Sequence, residues 1–161
     1  MNDGKQAAAR TSAADATERP WRDPTAGDCS VGYALLRVTL GVNIAMHGIS
    51  RILAGVGVFA SGLERQFAAT LLPHFAVSAF GHALPWAEAS IGLLILIGGA
   101  TRAALVAGAL LMIVLTFGTT LHQDFQVAGL QLIYAIAYAL LIAFSKYNSF
   151  SLDRLLSKSK E

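Results

Sequence analysis

The sequence predicts an all-α membrane protein, a bundle of four transmembrane helices with an amphipathic interfacial segment between the first and second spans. Hydrophobic residues make up 55% of the 161 residues and charged residues 14%, against about 25% charged residues in a soluble domain. Nine of the 22 acidic and basic side chains fall within residues 1–30, and six more within residues 146–161. Apolar segments between charged ends are typical of a lipid-embedded body with hydrated termini.

The chain divides into three regions. Residues 1–30 are rich in Ala, Thr, Asp and Arg without apolar periodicity, so we expect a disordered cytoplasmic arm. Residues 31–145 form the transmembrane domain. Residues 146–161 are expected to form a cytoplasmic tail, in which Leu152, Leu155 and Leu156 could dock a last short helix against the surface.

Four spans are expected within the transmembrane domain, at about residues 31–50, 85–101, 103–121 and 125–145. The first is long enough to cross a hydrocarbon core about 30 Å thick at about 1.5 Å per residue. Pro85 is expected to open the second span, because the missing N–H costs nothing in a first helical turn. A start near Val77, with a kink at Pro85, is the alternative.

Residues 52–84 are apolar but interrupted by several glycines and by Pro73. Phe59, Leu63, Phe67 and Leu71 recur every four residues, which places them on one helical face. This pattern favours an amphipathic helix lying in the membrane interface. A helix packed on the end of the bundle is the alternative.

The basic residues predict the orientation of the chain. Ten of the 12 Lys and Arg residues lie in the N-terminal arm, at Arg37, at Arg102 and in the tail, whereas Arg51 and Arg65 lie on the other side. Lys and Arg concentrate in cytoplasmic segments. We therefore expect a multi-pass protein of the cytoplasmic (inner) membrane with both termini in the cytoplasm.

Polar residues inside the first span indicate a functional interior. An ionisable group in hydrocarbon costs about 2.5 to 3.5 kcal/mol on insertion scales, so each one requires an explanation. At about 100° per residue, Arg37, Asn43, His47 and Arg51 fall on one stripe of the helix. This stripe is expected to face the bundle interior.

Glu88 occupies a glycine-containing face of the second span, and small residues allow another helix to approach closely. If the span begins at Pro85, Glu88 lies in the first turn, where the helix dipole favours an anion. It would then share the depth of His47 and Arg51. A pair between Glu88 and either of these two residues is therefore geometrically plausible.

These residues predict a polar pocket between the helices. The expected lining side chains are His47, Arg51, Glu88, His122 and Asp124, with Arg37, Asn43, Gln131 and Tyr134 beside or below them. Other interpretations stay open: the Glu88–Arg51 pair as a salt bridge that fixes helix register, His47 as a satisfied interior histidine, and His122 as a solvated turn residue.

Several classes of function lack support in the sequence. The net charge of +2 and the absence of a basic stripe argue against nucleic-acid binding. No phosphate loop, nucleophile elbow or dinucleotide fingerprint occurs, nor any haem, flavin or iron–sulfur motif. No pair of residues has clear metal spacing, with His122 and Asp124 left open as ligands. The single Cys29 cannot form an intrachain disulfide.

Short motifs in a consistent order resemble the DoxX/DoxD-like family of four-helix membrane proteins, over about residues 33–156. They are LLRVTLG at 35–41, MHG at 46–48, LPWAE at 84–88, FGTTLHQD at 117–124, GLQLIY at 129–134 and YNSFSLD at 147–153. Members of that family include membrane subunits of thiosulfate:quinone oxidoreductase. The resemblance implies a membrane subunit that passes electrons from a small, sulfur-containing donor or a partner protein to membrane quinone.

For such a site, His47 and Glu88 are expected to be the catalytic pair that handles protons beside the quinone. Arg51 or Arg37 would stabilise a negatively charged quinone or donor. The implied partners are the lipid bilayer, quinone and a second redox or sulfurtransferase subunit, and a homo-oligomer is also allowed. Two further hypotheses stay open: a non-catalytic membrane anchor or assembly factor, and a small proton-coupled transporter with Glu88 as its protonation switch.

Overall fold

Four long helices and two short ones form the part of the chain that the computed structural model describes, residues 24–158. The helices are α1 (Pro24–Ala54), α2 (Val56–Phe67), α3 (His74–Ile97), α4 (Thr101–Leu121), α5 (Phe125–Ala143) and α6 (Leu152–Lys158), with a 3-10 turn at Ser145–Tyr147. In this part of the chain, α1, α3, α4 and α5 are long and apolar enough to cross a membrane. The predicted all-α bundle of four spans is therefore confirmed, and the protein is a multi-pass membrane protein.

The last two spans lie where the sequence predicts them, and the first begins earlier. Residues 24–30, expected to belong to the disordered arm, are helical and continue into the first span without a break. The rest of the predicted arm, residues 1–23, lies outside the described residues.

The second span begins at His74, so the expected start at Pro85 is wrong and the earlier start is right. Pro73, in an extended conformation with φ −67° and ψ 135°, precedes the helix, and Pro85 is buried within it. Glu88 therefore lies 14 residues into α3, about 21 Å from its start, and not in the first turn. The helix ends at Ile97 and is capped by Gly98, whose left-handed φ of 71° suits glycine.

Glycines set the contact between α1 and α3. A Cβ atom at Gly41 would lie 2.7 Å from the backbone nitrogen of Leu96, and one at Gly48 or Gly92 would overlap the facing backbone outright. Small residues thus let the two backbones touch along their length. This close approach determines which side chains of α1 reach α3.

The remaining elements close the bundle at its two ends. The short helix α2 packs on the first half of α3, where Ala60 is fully buried beside Gly81. Helices α4 and α5 form a hairpin whose turn ends at Asp124, which accepts a hydrogen bond from Val127 N at 3.1 Å. We call the end with α2 and the α4–α5 turn the loop end. The opposite end, with the α3–α4 turn and residues 147–158, is the tail end.

At the tail end, the C-terminal segment folds back onto the bundle, although not through its leucines. Leu155 and Leu156 are exposed on the outside of the bundle, so their docking against the surface stays a prediction. The carboxylate of Asp153 accepts hydrogen bonds from Ala100 N and Thr101 N, both at 2.7 Å. These contacts satisfy N–H groups at the start of α4 that have no partner within the helix.

Candidate functional site

An ion pair joins α1 and α3 near the middle of α3. The Arg51 guanidinium donates to the Glu88 carboxylate, which confirms one of the two expected pairs. The Glu88 side chain is only 4% exposed and that of Arg51 is 28% exposed. The Arg51 guanidinium also lies 4.7 Å from the centre of the Phe59 ring, which adds a cation–π contact.

A cavity of about 420 Å³ lies beside Arg51, at the loop end of the bundle, and the Arg51 side chain forms part of its wall. Helices α2, α3, α4 and α5 contribute to its walls, and it is partly open to the bundle surface. Its walls are mainly apolar and include Phe59, Leu63, Phe67, Phe80, Leu84 and Phe117. Its polar side chains are Arg51, Gln66, Thr119, His122, Asp124 and Gln131. The cavity therefore combines an apolar slot with a few hydrogen-bonding groups.

Polar contacts hold the α4–α5 wall of this cavity in place. The Thr119 hydroxyl lies 2.9 Å from Gln131 Oε1 and 3.1 Å from both Leu115 O and Thr116 O, so its single proton is shared among these three acceptors. Gln131 turns its oxygen toward Thr119 and keeps its amide N–H groups as donors. The His122 ring lies against Phe67 with ring centres 5.7 Å apart, and His122 is otherwise exposed. Asp124 caps α5, so part of its hydrogen-bonding capacity is already used by the backbone.

Arg37 lies at the tail end and does not line this cavity, so its expected place in a shared pocket is wrong. It is 3% exposed, and its Nη1 donates to Ile95 O at 2.6 Å and Leu96 O at 2.9 Å. Its Nη2 donates to Phe150 O at 2.6 Å. Arg37 thus ties the end of α3 to the C-terminal segment. This contact explains how a cation is tolerated inside the bundle.

His47 and Asn43 lie on another surface, so the expected His47–Glu88 pair does not form. His47 is exposed, and both residues line a groove of about 400 Å³ on α1. The reason is helical rotation: Gly48 faces α3, and His47 is turned about 100° away from it. The predicted stripe therefore divides, with Arg37 and Arg51 inside, Asn43 half-buried at the edge and His47 outside.

The structure gives two groups of predicted residues their surroundings. Phe59 and Phe67 were expected on one face of an amphipathic interfacial helix or of a helix packed on the end of the bundle. They line the cavity, and α2 packs on α3 as in the second interpretation. Their spacing of eight residues was visible, but periodicity does not say what a helical face contacts. Tyr134, a predicted site residue, packs against the apolar core instead.

Tyr138 is fully buried and lies within range of the Glu88 charge. Its hydroxyl has no hydrogen-bond partner within residues 24–158. Asp124, Gln131 and Tyr138 recur at intervals of seven residues in the sequence, a spacing that puts Tyr138 on the same face of α5 as the two polar residues.

No family model, curated protein or solved structure matches this chain.

Proposed function

We propose that the protein is a membrane subunit of a quinone-linked oxidoreductase and that the cavity beside Arg51 is its quinone site. The observation that supports this function is the cavity itself, about 420 Å³ with aromatic walls and a few polar groups. Pockets for small molecules typically measure about 300–1,000 Å³ and combine these features. The resemblance to the DoxX/DoxD-like family points to the same chemistry.

The hydrogen-bond donors that line the cavity suit a quinone, which has a planar apolar ring and two carbonyl acceptors. Arg51 lies on one side of the cavity, and Gln131 and His122 lie on the α4–α5 side. Their N–H groups can donate to the two carbonyl oxygens. When bound, the quinone would supply the redox chemistry, accepting electrons and protons.

The roles of the expected catalytic pair change in this proposal. Glu88 does not line the cavity but holds the Arg51 guanidinium, so we assign it a positioning role. His122 replaces His47 as the group that exchanges protons, because it both lines the cavity and is exposed. An imidazole can give and take protons near neutral pH.

The proposal also includes the orientation of the chain in the membrane and the identity of the electron donor. The excess of Lys and Arg at the tail end favours cytoplasmic termini in the cytoplasmic membrane, which places the cavity toward the outer side. The family resemblance favours a small sulfur compound as electron donor. It also favours a second redox or sulfurtransferase subunit as partner.

Two matched glycine substitutions test the quinone site. A Cβ at Gly118 would make only an ordinary 3.5 Å contact with Phe67, whereas one at Gly129 would meet nothing within 4 Å. Gly118→Leu should fill the cavity and weaken binding of a short-chain quinone to the purified protein at least tenfold. Gly129→Leu should bind like the wild type. We would abandon the proposal if neither quinone nor quinol binds, or if Gly118→Leu binds equally well.

The buried position of Glu88 favours a second candidate, a small proton-coupled transporter. A carboxylate at mid-span is a typical protonation switch. Proteoliposomes without quinone distinguish the two functions, because a transporter still moves protons when substrate is supplied, whereas a quinone subunit lacks its electron and proton acceptor. If both cavity and Glu88 variants retain full activity of an associated enzyme, a non-catalytic anchor explains the protein better.

A further inference from the structure

The cavity at the loop end opens sideways between α3 and α4. On α4, Val114 and Phe117 form part of its wall, yet they are 48% and 60% exposed. On α3, Phe80 forms part of the same wall and is half-buried. Side chains that border a cavity and also reach the outside of the bundle lie at the rim of that cavity. We call the gap between these three residues the lateral opening.

The packing of α3 and α4 explains where the lateral opening lies. At the tail end a short turn joins the two helices, and Ile95 and Leu105 are fully buried there in one apolar core. At the loop end, Phe67 of α2 reaches α4, because a Cβ atom at Gly118 would lie 3.5 Å from its ring. The two helices therefore share the core in their tail halves and border the cavity in their loop halves.

The lateral opening lies at the depth of the hydrocarbon core. Helices α3 and α4 are both long and apolar enough to span a membrane. Along the helix axis, Phe80 lies about 9 Å from the start of α3 and Val114 about 10 Å from the end of α4. Within a hydrocarbon core about 30 Å thick, both positions fall inside the apolar layer. The opening therefore faces lipid chains and not water.

The polar groups of the cavity lie toward its other end. His122 directly follows α4 and Asp124 directly precedes α5, so both lie at the boundary with water. Thr119 and Gln131 continue this polar wall into the bundle. The cavity is thus polar toward water and apolar toward lipid. This division matches an amphiphile, a ligand with a polar ring and an apolar chain.

We infer that a bound quinone keeps its ring at the polar end and extends its isoprenoid chain through the lateral opening into the bilayer. Quinone then enters and leaves sideways, from lipid and not from water. Lipid chains are as apolar as the rim, so the opening acts by giving the chain passage and not by attracting it. This inference rests on the proposed function of the cavity as a quinone site and adds the route of its ligand.

Two probes with the same ring separate passage of the chain from binding of the ring. One is a dimethoxy-methyl-benzoquinone without a chain, and the other carries a ten-carbon chain. Val114→Trp should weaken binding of the chain-bearing probe about tenfold, because the added indole occupies the space that the chain needs. Binding of the chainless probe should not change. Each variant is compared with the wild type in the same detergent, so that partitioning of a probe into micelles cancels.

The control variant is Ile113→Trp, which adds the same indole beside the opening. Ile113 is 65% exposed and lies outside the cavity wall, so this variant should bind both probes like the wild type. If the wild type binds neither probe, the proposed function itself is wrong. If the wild type binds both, but Val114→Trp weakens neither or weakens both equally, the cavity still holds a quinone and the lateral route is wrong. An equal loss in Ile113→Trp would also overturn the route.

A photoreactive diazirine at the far end of the ten-carbon chain locates the chain directly. After illumination, mass spectrometry should find labels on residues 76–83 of α3 or 110–117 of α4, and an excess of the chainless probe should suppress them. The comparison surface is the groove of about 250 Å³ between α1 and α5, which Leu36 and Phe144 line. Suppressible labels on α1 or α5 instead, or labels that the excess probe does not suppress, contradict the lateral route.

Discussion

Arg51 and Glu88 form an ion pair whose two members differ in burial, since the Arg51 side chain is 28% exposed and that of Glu88 only 4%. The pair lies between the tightly packed α1–α3 interface and the cavity at the loop end. It therefore links helix packing to the proposed quinone site, because any displacement of α1 against α3 moves a guanidinium that lines the cavity.

The unequal burial predicts an unequal response to single substitutions. Arg51→Gln should destabilise the protein by about 3–5 kcal/mol, because it leaves a buried carboxylate without a counter-charge. Glu88→Gln should cost less, about 1–2 kcal/mol, because Arg51 is less buried than Glu88 and keeps its contact with Phe59. The double variant Arg51→Met/Glu88→Leu should recover most of the loss. Unfolding in mixed micelles measures all three, and equal losses for the single variants would contradict the prediction.

The close α1–α3 contact predicts that even one methyl group is too large at Gly92. A Cβ there would overlap the backbone of Ala45, which cannot move aside as a side chain could. Gly92→Ala should therefore lower the free energy of unfolding by about 2–3 kcal/mol. The control is Gly129→Ala, where the new Cβ meets nothing within 4 Å. That change should stabilise the helix by up to about 1 kcal/mol, and a loss similar to that of Gly92→Ala would refute the packing argument.

The Arg37 contacts predict a specific effect on the C-terminal segment. The planar guanidinium reaches carbonyl groups of α3 and of Phe150 at the same time, whereas a lysine ammonium is a single point donor. Arg37→Lys should therefore speed amide hydrogen exchange in residues 147–153 at least tenfold. Arg102→Lys, at an exposed position of α4, should leave this exchange unchanged. Uniform acceleration across the whole bundle would indicate general destabilisation and not the loss of this tie.

The contacts of Asp153 predict release of the C-terminal segment in acid. Partial burial alone would raise the pKa of Asp153, but hydrogen bonds from Thr101 and Ala100, with the charge of Arg37, hold it below its ordinary value of 3.8. A carboxyl group with a lowered folded-state pKa stabilises the docked segment fully above the ordinary pKa. That contribution disappears as pH falls below 3.8 and through the folded-state pKa.

Protease sensitivity of residues 147–158, measured across this acidic range, checks the prediction. In the wild type, cleavage should increase as the pH falls. Asp153→Asn should show higher cleavage at neutral pH and lose the acid-dependent increase. A wild-type acid profile that persists in Asp153→Asn would show that another group releases the segment.

Hydropathy and charge were sufficient for the gross architecture but not for every boundary. The spans ending at Leu121 and beginning at Phe125 follow from apolar length and a short polar turn, because both depend on local composition. The second span was expected to start at Pro85, because a proline fits a first helical turn. A proline is also tolerated within a membrane helix, which is where Pro85 lies. Only packing of α2 against the first half of α3 distinguishes the two positions.

The candidate site was predicted in part. The pairing of Arg51 with Glu88 follows from the need to neutralise charge within a bundle, which is a property of the residues themselves. The separation of His47 from Glu88 depends on Gly48 lying against α3, and a rotation of α1 by one residue would have reversed it. A polar stripe covers a wide arc, so its spacing does not state which edge faces inward.

The sequence by itself determined that the protein is an α-helical bundle with four apolar spans, because hydropathy and helical periodicity act over neighbouring residues. Only the tertiary structure decided that Arg37 binds the C-terminal segment, that the α2 phenylalanines line a cavity, and that His47 lies outside. These placements arise from contacts between residues far apart in the chain. The geometry of these contacts depends on how closely the helix backbones approach one another. Glycines permit a close approach, but their positions in the sequence do not specify which helices meet there.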